Sequence, residues 1–253
     1  MVKKNLENKF HLKQFSISHD DCGLRVGTDA ILLGSWVASL PNFFSKQPTG
    51  VLDVGCGSGI LTLMMAQAFV QAEVCAIEID GRSGAQAQEN FTASPFSQRI
   101  KLLIDDFTQY RFSRQFDLII SNPPYFDEKP HKGIERKETA DAPNISRQTA
   151  RETICLNYEQ LIHKTSQLLT TDGYFAVVLP YDKAVQFIGT CAENELYLAY
   201  RTDIKTTTRK TPKRVLLAFC RTISPTRHDT LILQDSNGKK SEAFCQLTCD
   251  FLR

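Results

Sequence analysis

Two short stretches hold residue types that can do chemistry. The first is Asp53-Val-Gly55-Cys-Gly57-Ser-Gly59, which follows the apolar pair Val51-Leu52 and opens into the helix-like run beginning at Ile60. Alternating glycines turn the backbone sharply and let a ligand approach it without meeting a Cβ. Between a strand and a helix, such a turn suits a nucleotide-like cofactor at the carboxyl edge of a sheet. The dinucleotide fingerprint G-x-G-x-x-G fails, because Ile60 stands where its last glycine belongs. On the glycines alone, another kind of nucleotide site or a plain connection stays open.

The second stretch, Ser121-Asn122-Pro123-Pro124-Tyr125, ends the apolar run that starts at Phe116. Two prolines fix φ and force a rigid, extended exit, and their carbonyls can accept hydrogen bonds while their nitrogens donate none. Asn122 adds a side-chain acceptor and Tyr125 an aromatic face. This set suits a planar amide or an aryl amine, each of whose two hydrogens finds an acceptor. No strong base is required if the amine proton becomes acidic only as the new bond forms. Positioning of that kind can lower a barrier by ~7–11 kcal/mol. A plain proline-terminated turn is the bland alternative for the tetrad in isolation.

The elements that must position these residues are legible as alternating runs. Strands are expected at 51–54, 74–78, 100–104, 116–121, 174–179, 196–200 and 215–220. Helices are expected at 60–69, 85–91, 153–169 and 185–191. Alternation of this sort implies right-handed βαβ crossovers, a mostly parallel sheet and helices on both faces. The last two strands have no clear helix between them and are expected to form an antiparallel edge. Residues 1–48 read as an N-terminal cap, 49–253 as the main domain, and 126–150 as a long polar connection.

The chain has 253 residues with a net charge of +2 and 42% hydrophobic residues, which fits one α/β domain rather than a disordered or uniformly basic chain. No apolar run reaches the roughly 18 residues of a membrane span, and the first 20 residues lack a signal-peptide core. The eight cysteines show no C-x-x-C and no zinc-site spacing, so reduced thiols in the cytoplasm, without a metal, are expected.

D-x-G-x-G-x-G resembles motif I of class I S-adenosylmethionine (SAM) methyltransferases. On that resemblance the cofactor is SAM, leaving as S-adenosylhomocysteine (SAH), and the fold is a Rossmann-like, seven-stranded α/β sheet. Asp53, Gly55, Gly57 and Gly59 would form the cofactor turn, and Glu78 would accept the ribose hydroxyls. Asp106 would meet the adenine amine, with Phe107 flanking the ring. Asn122, Pro123, Pro124 and Tyr125 resemble the NPPY motif of amine and amide methyltransferases, with Asn122 also beside the cofactor.

The N-terminal stretch Phe10-His-Leu-Lys13-Gln-Phe15 and Val26-Gly-Thr28-Asp29-Ala-Ile-Leu-Leu resembles the start of the bacterial tRNA(Val) adenine-N6 methyltransferases. The likeness continues through Ala85-Gln-Ala-Gln-Glu-Asn90, Val177-Val-Leu-Pro180, Arg214-Val-Leu-Leu-Ala-Phe219 and Ser241-Glu-Ala-Phe244, nearly the whole chain. It implies methylation of N6 of the adenine immediately 3′ of the anticodon in a valine tRNA, with no obligatory protein partner. Thr28 would touch the methionyl part of SAM, although Thr28 and Asp29 also suit helix capping. Cys56 and Phe126 depart from the family pattern, and the connection from Phe126 to Arg147 is long for it.

Between 201 and 214 stand Arg201, Lys205, Arg209, Lys210, Lys213 and Arg214 against Asp203 alone. Lys205, Arg209, Lys210, Lys213 and Arg214, with Arg147 and Arg151, are candidates for holding tRNA phosphates. A solvated charged loop accounts for the same residues. Two other functions stay open: an NPPY methyltransferase of ribosomal RNA, DNA adenine or protein glutamine, and a catalytically silent RNA-binding homologue.

Overall fold

The computed structural model describes residues 9–18, 27–39, 47–124 and 157–252. A small hairpin of β1 (Lys9–His11) and β2 (Ser16–Ser18) leads to helix α1 (Thr28–Ser39). Then follow β3 (Gly50–Val54), α2 (Ile60–Ala68), β4 (Glu73–Glu78), α3 (Gly81–Thr92), β5 (Ile100–Ile104) and β6 (Phe116–Ser121). The second half holds α4 (Tyr158–Leu168), β7 (Leu169–Pro180), α5 (Ala184–Glu193), β8 (Tyr197–Lys205), β9 (Arg214–Cys220), β10 (Arg227–Ile232) and α6 (Glu242–Thr248).

Strands β3 to β10 form one eight-stranded sheet in the order β10-β8-β9-β7-β6-β3-β4-β5. Neighbours pair in parallel except around β9, which runs against both β7 and β8. The antiparallel pairing of the last two expected strands is therefore present, but β8 is not an edge. An eighth strand, β10, lies outside it. The sequence hides β10 because its first four residues are exposed and only Leu231 is buried.

Strand alternation divides the core by face. Val51, Val74, Ala76, Leu118, Ile120, Ala176 and Val178 point to a layer formed with α1, α2, α3 and α6. Leu52, Val54, Cys75, Ile77, Ile119, Phe175 and Val177 point the other way, to α4 and α5. Burial on both faces explains why the central strands read as continuous apolar runs.

The expected cap does not stand apart from this core. Leu12, Phe15, Ile17 and the run Ala30–Leu33 are buried in the same cluster as the sheet, together with Phe244 and Phe251. The Lys13 amide donates to the Phe251 carbonyl at 2.8 Å, so the two described ends of the chain close on each other. A boundary at residue 48 thus marks no break in the packing. Strand β7 begins earlier than the expected 174–179, at Leu169, and takes in Asp172-Gly173. Residues 170–173 bulge there between Leu169, opposite Phe116, and Tyr174, opposite Leu118.

Candidate active site

The parallel strands bring Val54, Glu78, Ile104 and Ser121 to one edge of the sheet, with α1's first residues and the start of β9 beside them. At β3's end the chain enters the glycine turn with Gly55, Gly57 and Gly59 at φ 70°, 54° and 82°. These are left-handed conformations that side chains resist. A Cβ on Gly55 or Gly57 would meet nothing within 4 Å, so both leave bare backbone facing open space. Gly59 answers a different need: its Cβ would fall 2.2 Å from the Phe91 ring of α3.

Glu78 holds this turn in place. Its Oε2 accepts from the Gly57 amide at 2.8 Å and its Oε1 from the Asp80 amide at 3.0 Å. The amides of Gly55 and Cys56 donate to the Ile77 carbonyl at 2.9 and 3.2 Å. A carboxylate has about four acceptor directions, so these bonds still leave capacity for two hydroxyls. Asp80 then caps α3 through its Oδ2, which accepts from the Ser83 amide at 2.9 Å.

Asp53 lies beneath the turn, fully buried. Its Oδ2 accepts from the Thr62 hydroxyl at 2.6 Å, while Oδ1 has no hydrogen-bond partner among the described residues. Burial pushes its carboxyl up to about 7, the Glu78 charge adds to the rise, and the Thr62 hydrogen bonds oppose it. Bare glycine backbone above a buried, unpaired acceptor fits a polar ligand seated in the turn.

On the next strand end, Asp106 Oδ1 accepts from both the amide and the hydroxyl of Thr108, at 2.7 and 2.8 Å. Phe107 is only 5% exposed and packs against Phe112 at 6.1 Å, so it offers little face to a ligand. Sequence reasoning missed Ile79, which is 43% exposed immediately after Glu78. Its position directly after the strand-end acid was the available signal in the sequence. It also missed Lys164 of α4, which donates to the carbonyls of Thr108 and Tyr110 at 2.8 and 2.6 Å. Its ammonium lies 5.5 Å from the Phe107 ring centre. Burial lowers the Lys164 pKa, against the pull of Asp106 and Asp105.

The tetrad is seated by pairing. Val54 is the register partner of Ser121, and the Ser121 hydroxyl donates to the Val54 carbonyl at 2.8 Å. Gly55 and Asn122 therefore leave adjacent strands side by side, roughly 5 Å apart. Asn122 and Pro124 are half-buried and Pro123 is buried. Tyr125, Arg147 and Arg151 lie outside the described residues, as does His19. His163 is on the surface of α4, in contact with Asn194 and Gln167.

Thr28 opens α1, and Asp29 next to it accepts from Arg214 Nε at 2.9 Å. Two of the six cations between 201 and 214 are thus engaged by acids, since Arg201 pairs with Asp203 at 2.8 Å. Arg209, Lys210 and Lys213 are exposed and Lys205 half-buried. Because β8 ends and β9 begins at the carboxyl edge, this loop shares the edge with Asn122.

Elsewhere, a cavity of about 370 Å³ opens at the opposite edge, lined by Cys75, Lys101, Tyr110, Phe112 and Arg114 among others. Its Arg114 is paired with Glu73, and Arg99 donates to carbonyls of Ala66, Phe69 and Ala72. It plays no part in the site above. Cys56, Cys75, Cys191 and Cys220 are buried and unbonded to one another; burial pushes the Cys75 thiol up to about 11. Cys22 and Cys155 lie outside the described residues.

The fold and the edge it builds are those of class I SAM-dependent methyltransferases. An O-methyltransferase so named by prediction, from Agrobacterium tumefaciens, superposes with a TM-score of 0.64 at 18% identity, covering 88% of this chain and 96% of that one. The glycopeptide N-methyltransferase MtfA in complex with SAM gives 0.54 at 12% identity, covering 77% and 95%. The model of the methyltransferase small domain matches residues 35–149. Relatives are more specific. The tRNA1(Val) (adenine(37)-N6)-methyltransferase of Klebsiella pneumoniae is 39% identical over 96% of this chain and 94% of its own length. The Yersinia pestis protein of the same name is 36% identical over 96% and 92%. The chain belongs to the tRNA1(Val) (adenine(37)-N6)-methyltransferase family.

Proposed function

We propose that the chain transfers a methyl group from SAM to N6 of the adenine immediately 3′ of the anticodon in a valine tRNA, releasing SAH. The observation that carries this reading is the seating of Asn122-Pro123-Pro124 beside the glycine turn by the Val54–Ser121 pair. Two acceptors suited to an amine would then stand next to bare backbone able to receive the cofactor.

SAM, when bound, supplies an electrophilic methyl on a sulfonium sulfur. The turn Gly55–Gly59 and Thr28 would hold its methionyl end, Glu78 would accept from the ribose, and Asp106 would accept from the adenine amine. Ile79 offers the apolar surface for the adenine that buried Phe107 does not. The Asn122 side-chain oxygen and the Pro123 carbonyl each accept one hydrogen of the target amine. Held so, the amine nitrogen would have its electron pair free to meet an electrophilic methyl, and no base would be needed because its proton could leave to solvent. Tyr125, the last residue of the tetrad, would supply a stacking face for the exposed base, worth ~1–3 kcal/mol.

Arg209, Lys210 and Lys213, on the same edge, meet the phosphates of the anticodon arm. Arg214 contributes by fixing the base of that loop to Asp29. A tRNA substrate supports a cytoplasmic location. Among the described residues no helix is long and apolar enough to cross a membrane. The test is methyl transfer from labelled SAM with Asn122→Ala, which should abolish transfer to tRNA while SAH still binds. Labelling of a release factor, ribosomal RNA or DNA in place of tRNA would reject the proposal.

A further inference from the structure

We infer that Asn90 is a positioning residue that sets the cofactor turn and couples it to the N-terminal hairpin. Asn90 sits on α3 and is only 5% exposed. Its Nδ2 donates to the Ser58 carbonyl at 2.9 Å and to the Ser18 carbonyl at 2.8 Å, and its Oδ1 accepts from the Ser18 amide at 3.0 Å. Both amide hydrogens are used, and the opposite amide orientation would set oxygen against two carbonyls. The arrangement therefore has one working state.

Ser58 lies between Gly57 and Gly59, in the stretch with the least intrinsic stiffness in the chain. Ordering glycine costs more backbone entropy than ordering any other residue. A turn built from three of them needs external anchors to present one conformation. Glu78 anchors Gly57 from one side. Asn90 anchors Ser58 from the other, and the next residue on α3, Phe91, fills the space under Gly59. Ser18 ends β2, whose Ile17 is buried, with Phe15 packed edge-on to Phe96 at 6.2 Å. One side chain thus locks hairpin and turn in a single register. A preorganised turn binds its ligand without the ordering cost.

The inference rests on the glycine turn being the SAM site. Calorimetric titration of the full chain with SAH tests both separately. Wild type that binds no SAH removes that reading and this inference with it. With wild-type binding in place, Asn90→Ala should weaken SAH about tenfold, as loss of about one net buried hydrogen bond in the bound state implies. KM for SAM should rise in parallel while kcat at saturating SAM stays within about twofold. A control of similar stability loss on the other face, Phe187→Leu, should leave SAH affinity within twofold. Asn90→Asp keeps the volume but can donate only when its carboxyl is protonated, so its SAH affinity relative to wild type should improve as pH falls. SAH affinity of Asn90→Ala within twofold of wild type overturns the inference. If Asn90→Ala fails to fold, a pH-independent affinity ratio for Asn90→Asp overturns it.

Discussion

Replacing Asp53 with asparagine tests the electrostatics of the cofactor turn. The side chain is fully buried and its carboxyl is pushed up to about 7 from an ordinary 3.8. The native state therefore keeps a proton that the unfolded chain releases as pH rises from about 4 to 7. Where the native state binds one proton more, stability falls by roughly 1.4 kcal/mol per pH unit. Three units give a loss of as much as roughly 4 kcal/mol, complete near neutrality. Asp53→Asn keeps the acceptor for Thr62 and removes the ionisation. Urea unfolding of both proteins between pH 4.5 and 8 should show a stability difference that grows in favour of the variant up to about pH 7 and is flat above it. Carboxyls held low by hydrogen bonds, such as Asp80 with Ser83, act alike in both proteins and cancel in the difference. A ligand that donates to the unpaired Oδ1 favours the carboxylate, so wild-type SAH affinity should rise from pH 5.5 to 8 and the variant's should not. A stability difference that does not change between pH 5 and 7 would show that the Asp53 carboxyl is not raised by its burial.

Gly59→Ala places a Cβ at φ 82° and 2.2 Å from Phe91, and should cost about 2–5 kcal/mol of stability in denaturant titrations. Phe91→Leu in the same chain should recover the clash component and leave the backbone strain. Lys164→Met loses two hydrogen bonds to the turn that carries Asp106 and should cost about 2 kcal/mol while raising KM for SAM more than it lowers kcat. Charge reversal at Arg209, Lys210 and Lys213 should weaken tRNA binding and reduce its salt dependence by about one phosphate per lost contact, with SAH affinity unchanged. An unchanged salt slope would show that the loop meets no phosphate.

The central strands were legible because both faces are buried, so Val51–Val54 and Phe116–Ser121 read as apolar blocks. The gathering of the candidate site residues was legible for a related reason. A parallel sheet sends its strand ends to one edge, so Gly55, Glu78, Asp106 and Asn122 are brought to that edge by topology alone. β10 escaped because an exposed edge strand carries no such block. The cap at residues 1–48 read as an appendage because its described apolar residues, Leu12 and Ile17 among them, are buried only in a cluster built from residues distant in the chain, Phe91 and Phe251 included. Pairings between distant residues were invisible: Arg214 read as a phosphate contact, and its partner Asp29 stands 185 residues away. Phe107 follows the same logic, since nothing local says that Phe112 and Lys164 will cover it.

In the proposed reaction Asn122 and Pro123 present one particular amine to the cofactor. Purified chain, SAM and an unmodified valine tRNA should yield N6-methyladenosine, mapped by nuclease digestion and mass spectrometry to the adenine immediately 3′ of the anticodon. Asn122→Ala should yield none while binding SAH as wild type does. Methylation at another position, or full methylation by Asn122→Ala, would contradict it.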